Sequence, residues 1–177
     1  MWGDNVNYKT EYETIVGVFN SECGPKKRGF EKEYSDIILY LEEKKIIRSM
    51  HSIKRKYIIP EKNENDWKTY LKCRRGGGDI HGLVKWWAYC WLRDESKCSP
   101  FLEYGIEGYG RADLADLSRK IIVECGNTSP GHCIYALEKL DCSSFIIIPF
   151  QRSIIEMFTY CEIMKVEVFE FSKNGVA

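Results

Sequence analysis

An uninterrupted apolar run at residues 143–150, SSFIIIPF, constrains the fold more than any other segment of this 177-residue chain. The run is short and rich in β-branched side chains, which is typical of a central strand covered on both faces. The preceding segment, SPGHCIYALEKL, has apolar residues along one side of a helix, and Pro130 suits the first helical position. We therefore expect a helix that leads into a buried strand.

Three further strands are predicted earlier in the chain, in SPFLEYGI, GRADLADL and KIIVECG. A helix from Asp79, its expected cap, to about Asp94 precedes them. Antiparallel strands that connect through a helix to a later strand require a crossover and a mixed sheet. After the buried strand, QRSIIEMFTYCEI is predicted to be a helix and KVEVFEF an alternating strand at the edge of the sheet. The sequence thus predicts an α/β fold.

Three successive glycines at 76–78 can act as a flexible joint, which predicts an N-terminal appendage at 1–75 and a second domain at 79–177. In the appendage, EKEYSDIILYLEEKKII is predicted to be a helix and IIRSMHSIKRKYIIP a hairpin of two short strands. YETIVGVFN fits either a helix or a strand. If it is a helix, the α+β order helix, helix, hairpin resembles a small winged helix, a form common among DNA-binding proteins.

The amino-acid composition and the start of the chain indicate what class of protein to expect. With 44% apolar residues and no apolar run of membrane-spanning length, the chain is expected to be globular and without a membrane partner. Its start lacks the features of a secretion signal, so an intracellular, cytoplasmic location is expected. The eight cysteines form no CxxC pair, which argues against structural zinc. Buried thiols are the simplest interpretation, and disulfides are the alternative.

Basic residues cluster as KKR at 26–28, KRK at 54–56 and KCRR at 72–75, although the net charge is zero. Such clusters suit contact with the phosphates of a nucleic acid. Ordinary solvated surface is the alternative interpretation.

Asp113 in GRADLADL and Glu124 in KIIVECG are carboxylates on strands that otherwise look like core. A turn at Ser118 and Arg119 places Asp113 directly opposite Glu124, whereas a four-residue loop makes the two diagonal neighbours. Like charges that face each other destabilise a sheet unless something compensates them. A divalent cation, Mg²⁺ or Mn²⁺, is the simplest compensation, and it suits phosphodiester hydrolysis.

An alternative needs no metal. Asp113 would then lie at a strand end in solvent, and Glu124 would form an ion pair with Arg111 or Lys120.

Residues 79–150 resemble the PD-(D/E)XK nuclease superfamily, the restriction-endonuclease-like fold, whose core is a helix, three strands, a helix and a strand. The resemblance implies that Asp113 and Glu124 are the two metal-binding acids, and that the main-chain carbonyl of Cys125 is a further ligand. It also implies an Mg²⁺- or Mn²⁺-dependent endonuclease that acts on DNA in preference to RNA.

Two positions depart from the family pattern. Ala112 replaces a frequent proline, and Gly126 stands where the family has a lysine that orients or activates the attacking water. Gln151, at the head of the predicted helix after SSFIIIPF, is the preferred substitute. Lys120 is less suitable because four strand residues span roughly 13 Å. The alternative function is a catalytically inactive DNA-binding or regulatory protein. It would bind DNA through its nuclease-like fold or through its winged-helix-like N-terminal unit.

Other candidates have lesser roles. Glu103 is a possible third ligand, although a solvent-exposed strand glutamate is the simpler interpretation. Asp116 is expected to cap a turn, and His81 is expected to be structural at the helix start. The predicted edge strand KVEVFEF offers a surface for pairing with a second copy, so a homodimer is one expected assembly.

Overall fold

The run at 143–150 forms the buried central strand that its sequence predicts. The computed structural model describes residues 5–22, 31–47, 49–97, 100–126, 128–150 and 153–173. Its helices are α1 (Asn5–Glu22), α2 (Glu31–Glu43), α3 (Glu64–Cys73), α4 (Asp79–Ser96) and α5 (Pro130–Lys139). Its strands are β1 (Ser49–Pro60), β2 (Phe101–Ile106), β3 (Gly110–Asp116), β4 (Ile121–Cys125), β5 (Ser144–Ile148), β6 (Ser153–Met157) and β7 (Cys161–Ser172).

Seven strands of the described ranges form one mixed sheet. Six follow the order β1-β7-β5-β4-β3-β2, and β6 pairs with β7. β4 and β5 are parallel and are connected through α5, which confirms the predicted crossover and the α/β class. Alternate residues of β5 face opposite cores, since Ile146 packs with α1, α3 and α4, and Phe145 packs with α2 and α5.

The hairpin of β3 and β4 has the tighter of the two predicted registers. Leu114 pairs with Val123 and Asp116 with Ile121. Continued by one step, this register places Asp113 directly opposite Glu124. The carboxyl group of Asp116 accepts bonds from the main-chain N–H groups of Ser118, at 3.1 Å, and Arg119, at 3.2 Å, so its predicted turn-capping role is confirmed.

The segment after β5 was predicted wrongly as a helix. Residues 153–157 are the strand β6, which pairs with the first half of β7. Ile154, Ile155 and Phe158 fit helical spacing, but a short apolar run does not distinguish a helix from a strand. The prediction that KVEVFEF lies at an edge is also wrong, because β7 is covered by β1 on one side and by β5 and β6 on the other. The surface expected for pairing with a second copy is therefore absent.

The front of the chain joins the same sheet and core as the rest. The predicted hairpin is wrong, because residues 49–60 form the single strand β1, antiparallel to β7 along its whole length. YETIVGVFN lies within the helix α1, whose Phe19 meets Trp87 of α4 with ring centres 5.4 Å apart. Asn20 of α1 also bonds both main-chain groups of Ile155, at 2.7 and 2.9 Å. A winged helix needs a hairpin, so that resemblance loses its basis. The glycines at 76–78 do not separate two cores.

Two composition-based predictions can be compared directly with the structure. Five cysteines are buried with free thiols, as expected for small apolar side chains: Cys73, Cys90, Cys125, Cys133 and Cys142. No helix in the described ranges has the length and apolar character needed to cross a bilayer.

Candidate active site

Asp113 and Glu124 meet where β3 and β4 separate. The ladder between these strands ends at Leu114 and Val123, one step before the two acids. Beyond it, the main-chain N–H of Cys125 donates to Asp113 Oδ2 at 2.9 Å, and the Tyr109 hydroxyl donates to Glu124 Oε1. The two carboxyl groups lie close enough for the charge of Asp113 to help raise the pKa of Glu124. Acidic side chains thus replace the main-chain ladder, and the expectation that the acids lie together is met.

The helix α4 contributes two further side chains to this site. His81 Nε2 lies 3.0 Å from Asp113 Oδ2, and Lys85 Nζ lies 3.3 Å from Asp113 Oδ1. Residues four apart share one face of a helix, so α4 presents both groups to the same carboxylate. His81, expected to be structural at the helix start, therefore contacts one of the two acids.

Lys85 is the site residue that sequence reasoning missed. Its side chain is 0% exposed, and besides Asp113 it contacts the carboxyl group of Glu103. Lysine is almost never fully buried without a partner. The signal was therefore available, since Lys85 interrupts the apolar run of Leu83, Val84, Trp86 and Trp87.

Glu103 lies level with Asp113 on the neighbouring strand β2. Its neighbours Leu102 and Tyr104 pair with Leu114 and Ala112, which places Glu103 opposite Asp113. Its φ of 51° lies in the left-handed region, which is uncommon for a residue other than glycine. The predicted solvent-exposed glutamate is thus a half-buried partner of Lys85, with a side chain 24% exposed.

Lys85 is buried and Asp113 is partly buried, and each is stabilised in its charged form by its partners in the site. Burial disfavours the ammonium of Lys85, but the hydrogen bond to Glu103 and the charge of Asp113 outweigh this effect and raise the pKa of Lys85. Burial also disfavours the charged form of Asp113. Here the hydrogen bonds from His81 and from the main chain of Cys125 outweigh burial and lower the pKa of Asp113. A charged lysine beside a charged aspartate results.

The pKa of Glu124 is shifted in the direction opposite to that of Asp113. Burial, opposed by the hydrogen bond from the Tyr109 hydroxyl and reinforced by the charge of Asp113, raises the pKa of Glu124 to about 8. Two carboxyl groups that share one location cannot readily both ionise. The pair therefore holds one proton at neutral pH, on Glu124.

This pKa predicts a pH dependence of stability in the metal-free protein. A carboxyl group with a raised folded-state pKa contributes stability below its unfolded pKa, near 4.5, and that contribution disappears as the pH rises through about 8. Each unit of difference is worth about 1.4 kcal/mol. We expect the free energy of unfolding, measured by denaturant in EDTA, to fall from pH 5 to pH 8. The same series with Glu124→Gln should be flatter, and an equal slope in both proteins contradicts the assignment.

The donor set fits a hard divalent cation. Asp113 and Glu124 offer carboxylate oxygens, with Glu103 next to them, and such ligands suit Mg²⁺ or Mn²⁺. A cation in place of the proton on Glu124 would relieve the repulsion of the pair. Within the described ranges, no three His, Cys, Asp or Glu side chains already converge in metal-binding geometry. Two carboxylates are a sufficient protein contribution for Mg²⁺, which usually retains waters and binds substrate phosphates.

The other residues considered for the site are Gln151, Lys120 and Cys125. Gln151 lies outside the described residues. Lys120 pairs with Asp141 at 2.8 Å in the turn before β4, so the structure does not bring it to the acids. The alternative ion pairs of Glu124 with Arg111 or Lys120 are not formed in the described part of the chain, where the Tyr109 hydroxyl donates to its carboxyl group and Lys120 pairs with Asp141. The ligand role of the Cys125 carbonyl stays a prediction, and the thiol of Cys125 is buried.

Gly126, where the resemblance implies a lysine, stands in a position that strains any side chain. Its φ is +95°, and a Cβ atom there would lie 2.6 Å from Cε2 of Phe150. Phe150 in turn packs edge-on against His81, with ring centres 6.3 Å apart. A lysine at this position would therefore need a different backbone and a displaced ring beside the site.

We expect Gly126→Lys to reduce stability without introducing or raising metal-dependent activity. The left-handed backbone alone costs about 1–2 kcal/mol for a residue with a Cβ atom, and displacement of Phe150 adds to it. Denaturant unfolding measures the loss. Gly105→Ala is the matched control, because a Cβ atom at Gly105 meets nothing within 4 Å. A Gly126→Lys protein as stable as the control contradicts this account.

Comparisons of the chain with family models, with curated proteins and with solved structures gave no match in any of the three.

Proposed function

We propose that this chain is a divalent-metal-dependent nuclease that hydrolyses DNA phosphodiester bonds. The observation that carries the proposal is the position of Asp113 opposite Glu124 where β3 and β4 separate, close enough for their charges to interact. A buried lysine and a third carboxylate lie beside them. Such a concentration of perturbed titratable groups is typical of a functional site, since uncompensated carboxylates cost stability in a structural role.

Each side chain has a role that follows from its contacts. Asp113 and Glu124 would hold the cation, which when bound polarises a phosphoryl oxygen and lowers the pKa of a bound water. Lys85 is fully buried behind Asp113 and Glu103. It is therefore a positioning residue that holds both carboxylates in place. His81 orients Asp113 from the same helix face.

The order of elements supports the resemblance to the PD-(D/E)XK superfamily. Residues 79–148 run α4, β2, β3, β4, α5 and β5, the helix, three strands, helix and strand that the resemblance implies. The two acids lie on the second and third of those strands, and the positive charge comes from α4 in place of the strand position of Gly126. This architecture is consistent with the proposed chemistry.

DNA is the proposed substrate because cationic side chains precede the site. Lys72 and Arg75 are exposed on the segment that leads to α4, and Lys56 is exposed on β1. Arg74 is held by Glu11 at 2.8 Å and Asp79 at 2.7 Å. The cluster at 26–28 lies outside the described residues. Phosphate contacts by Lys72 and Arg75 predict binding that weakens with salt.

A catalytically inactive DNA-binding protein is the second candidate, favoured by Gly126 in the position of the family lysine. The deciding experiment incubates the purified protein with labelled single-stranded, duplex and branched DNA in Mg²⁺, Mn²⁺ or EDTA. Cleavage in either metal, absent in EDTA, supports the nuclease. Salt-dependent binding without cleavage in any metal supports the inactive protein, and absence of both overturns both proposals.

A further inference from the structure

The glycines at 76–78 lie against the candidate site. Arg74–Gly76 form a short 3-10 turn, and Gly78 is the N-cap residue of α4. The bonds of Arg74 to Glu11 and Asp79, at 2.8 and 2.7 Å, fasten this turn to α1 and to the start of α4. The segment predicted to be a flexible joint is thus anchored on both sides.

Bare backbone at two of these glycines touches side chains of the site. A Cβ atom at Gly76 would lie 2.6 Å from Cδ of Glu103, and one at Gly77 would lie 2.9 Å from Cγ of His81. A Cβ atom at Gly78 would meet nothing within 4 Å. The φ of Gly77 is 175°, an extended value open to any residue. The close approach to Glu103 and His81, and not the backbone conformation, is what requires glycine here.

A methyl group at either position would displace side chains of the site and leave the backbone of the fold in place. The atoms it meets at Gly76 are the carboxyl end of Glu103, and those at Gly77 belong to the His81 ring. Both are movable ends of side chains. Glu103 would move away from Lys85, and His81 would move away from Asp113.

We propose that Gly76 and Gly77 are positioning residues of the active site: their backbone forms the wall that holds Glu103 on Lys85 and His81 on Asp113. This inference rests on the proposed nuclease function. It assigns Gly76 and Gly77 to the geometry of the catalytic site and not to domain movement.

The test compares Gly76→Ala and Gly77→Ala with Gly78→Ala in the full-length protein. A displacement of about 1 Å in a catalytic constellation can cost about 100-fold in rate. We expect kcat to fall by about 10- to 100-fold for the first two variants with KM unchanged, and by less than about twofold for Gly78→Ala. A fall in the thermal midpoint of Gly76→Ala or Gly77→Ala beyond that of Gly78→Ala reports the displaced contacts, whereas a purely structural role would lower the midpoint without a selective loss of kcat. Equal kcat values for all three variants overturn the proposal.

A double-mutant cycle keeps the inference separate from the proposed function. In a Glu103→Ala background the methyl group of Gly76→Ala has no carboxyl group to displace. The shift in denaturant midpoint caused by Gly76→Ala should therefore differ between the wild-type and Glu103→Ala backgrounds. This readout stands even if the wild-type protein cleaves no DNA, in which case the nuclease proposal fails alone. Additive midpoint shifts in the cycle overturn the positioning role whatever the activity.

Discussion

Replacing Asp113 by Asn or Glu124 by Gln is expected to abolish metal-dependent DNA cleavage. Each change keeps the shape of the side chain and removes the negative charge that a cation needs. Loss of several kcal/mol of transition-state stabilisation by the metal corresponds to about a thousandfold in rate, since each 1.36 kcal/mol is about tenfold. Cleavage of labelled DNA measures the rate, and calorimetric titration with Mn²⁺ measures metal binding. We expect each variant to lose both cleavage and metal binding.

The two substitutions should differ in stability, which separates lost chemistry from lost folding. Glu124→Gln imitates the protonated state that Glu124 holds at neutral pH, so we expect its unfolding free energy at pH 7 to be at least that of the wild type. Asp113→Asn replaces an ionised group bound by His81 and Lys85, so it should be less stable. Glu107→Gln, in the exposed turn between β2 and β3, is the matched control. Full cleavage by Glu124→Gln would falsify the assigned site.

Lys85→Met is expected to produce the largest loss of stability among the site variants. The change retains the length and helix propensity of the side chain, but it leaves the carboxyl groups of Glu103 and Asp113 without their buried cation. Removing one partner of a buried ion pair costs about 3–5 kcal/mol. Denaturant unfolding at pH 7 measures this cost. Lys120→Met is the control, because the exposed pair of Lys120 with Asp141 should contribute less than about 0.5 kcal/mol.

A second substitution distinguishes stability from catalysis at this position. Adding Glu103→Gln to Lys85→Met removes one of the uncompensated charges, so part of the lost stability should return. Cleavage should stay low in both proteins, because Asp113 still lacks the ammonium group that positions it. If the double variant regains cleavage along with stability, Lys85 has only a structural role. If Lys85→Met is as stable as Lys120→Met, the burial of its charge has been misjudged.

Local patterns were sufficient to predict the part of the fold that carries the two acids. Both candidate registers of the hairpin brought Asp113 and Glu124 close on one face, and the structure has the register of the turn at Ser118 and Arg119. The run at 143–150 implied a strand buried on both faces. Both inferences use interactions between residues close in sequence or the periodicity of one element. Such patterns can be interpreted from sequence because a register shift of one residue would turn the apolar side chains of a strand away from the core.

Contacts between distant parts of the chain were not predictable in the same way. The segment 153–157 is a strand because β7 offers it a partner, and residues 49–60 are one strand because β7 is long enough to pair with all of them. Periodicity in a short segment does not record which partner will be present.

What the sequence by itself determined is therefore the α/β core and the approach of Asp113 to Glu124, which both candidate registers of the hairpin predicted. Only the tertiary structure decided that Lys85 and Glu103 join them, that glycine backbone lies against Glu103 and His81, and that a side chain at Gly126 would meet the Phe150 ring. The physical reason is that burial and charge compensation depend on groups brought together by packing, whereas strand pairing across a short turn depends on neighbours along the chain.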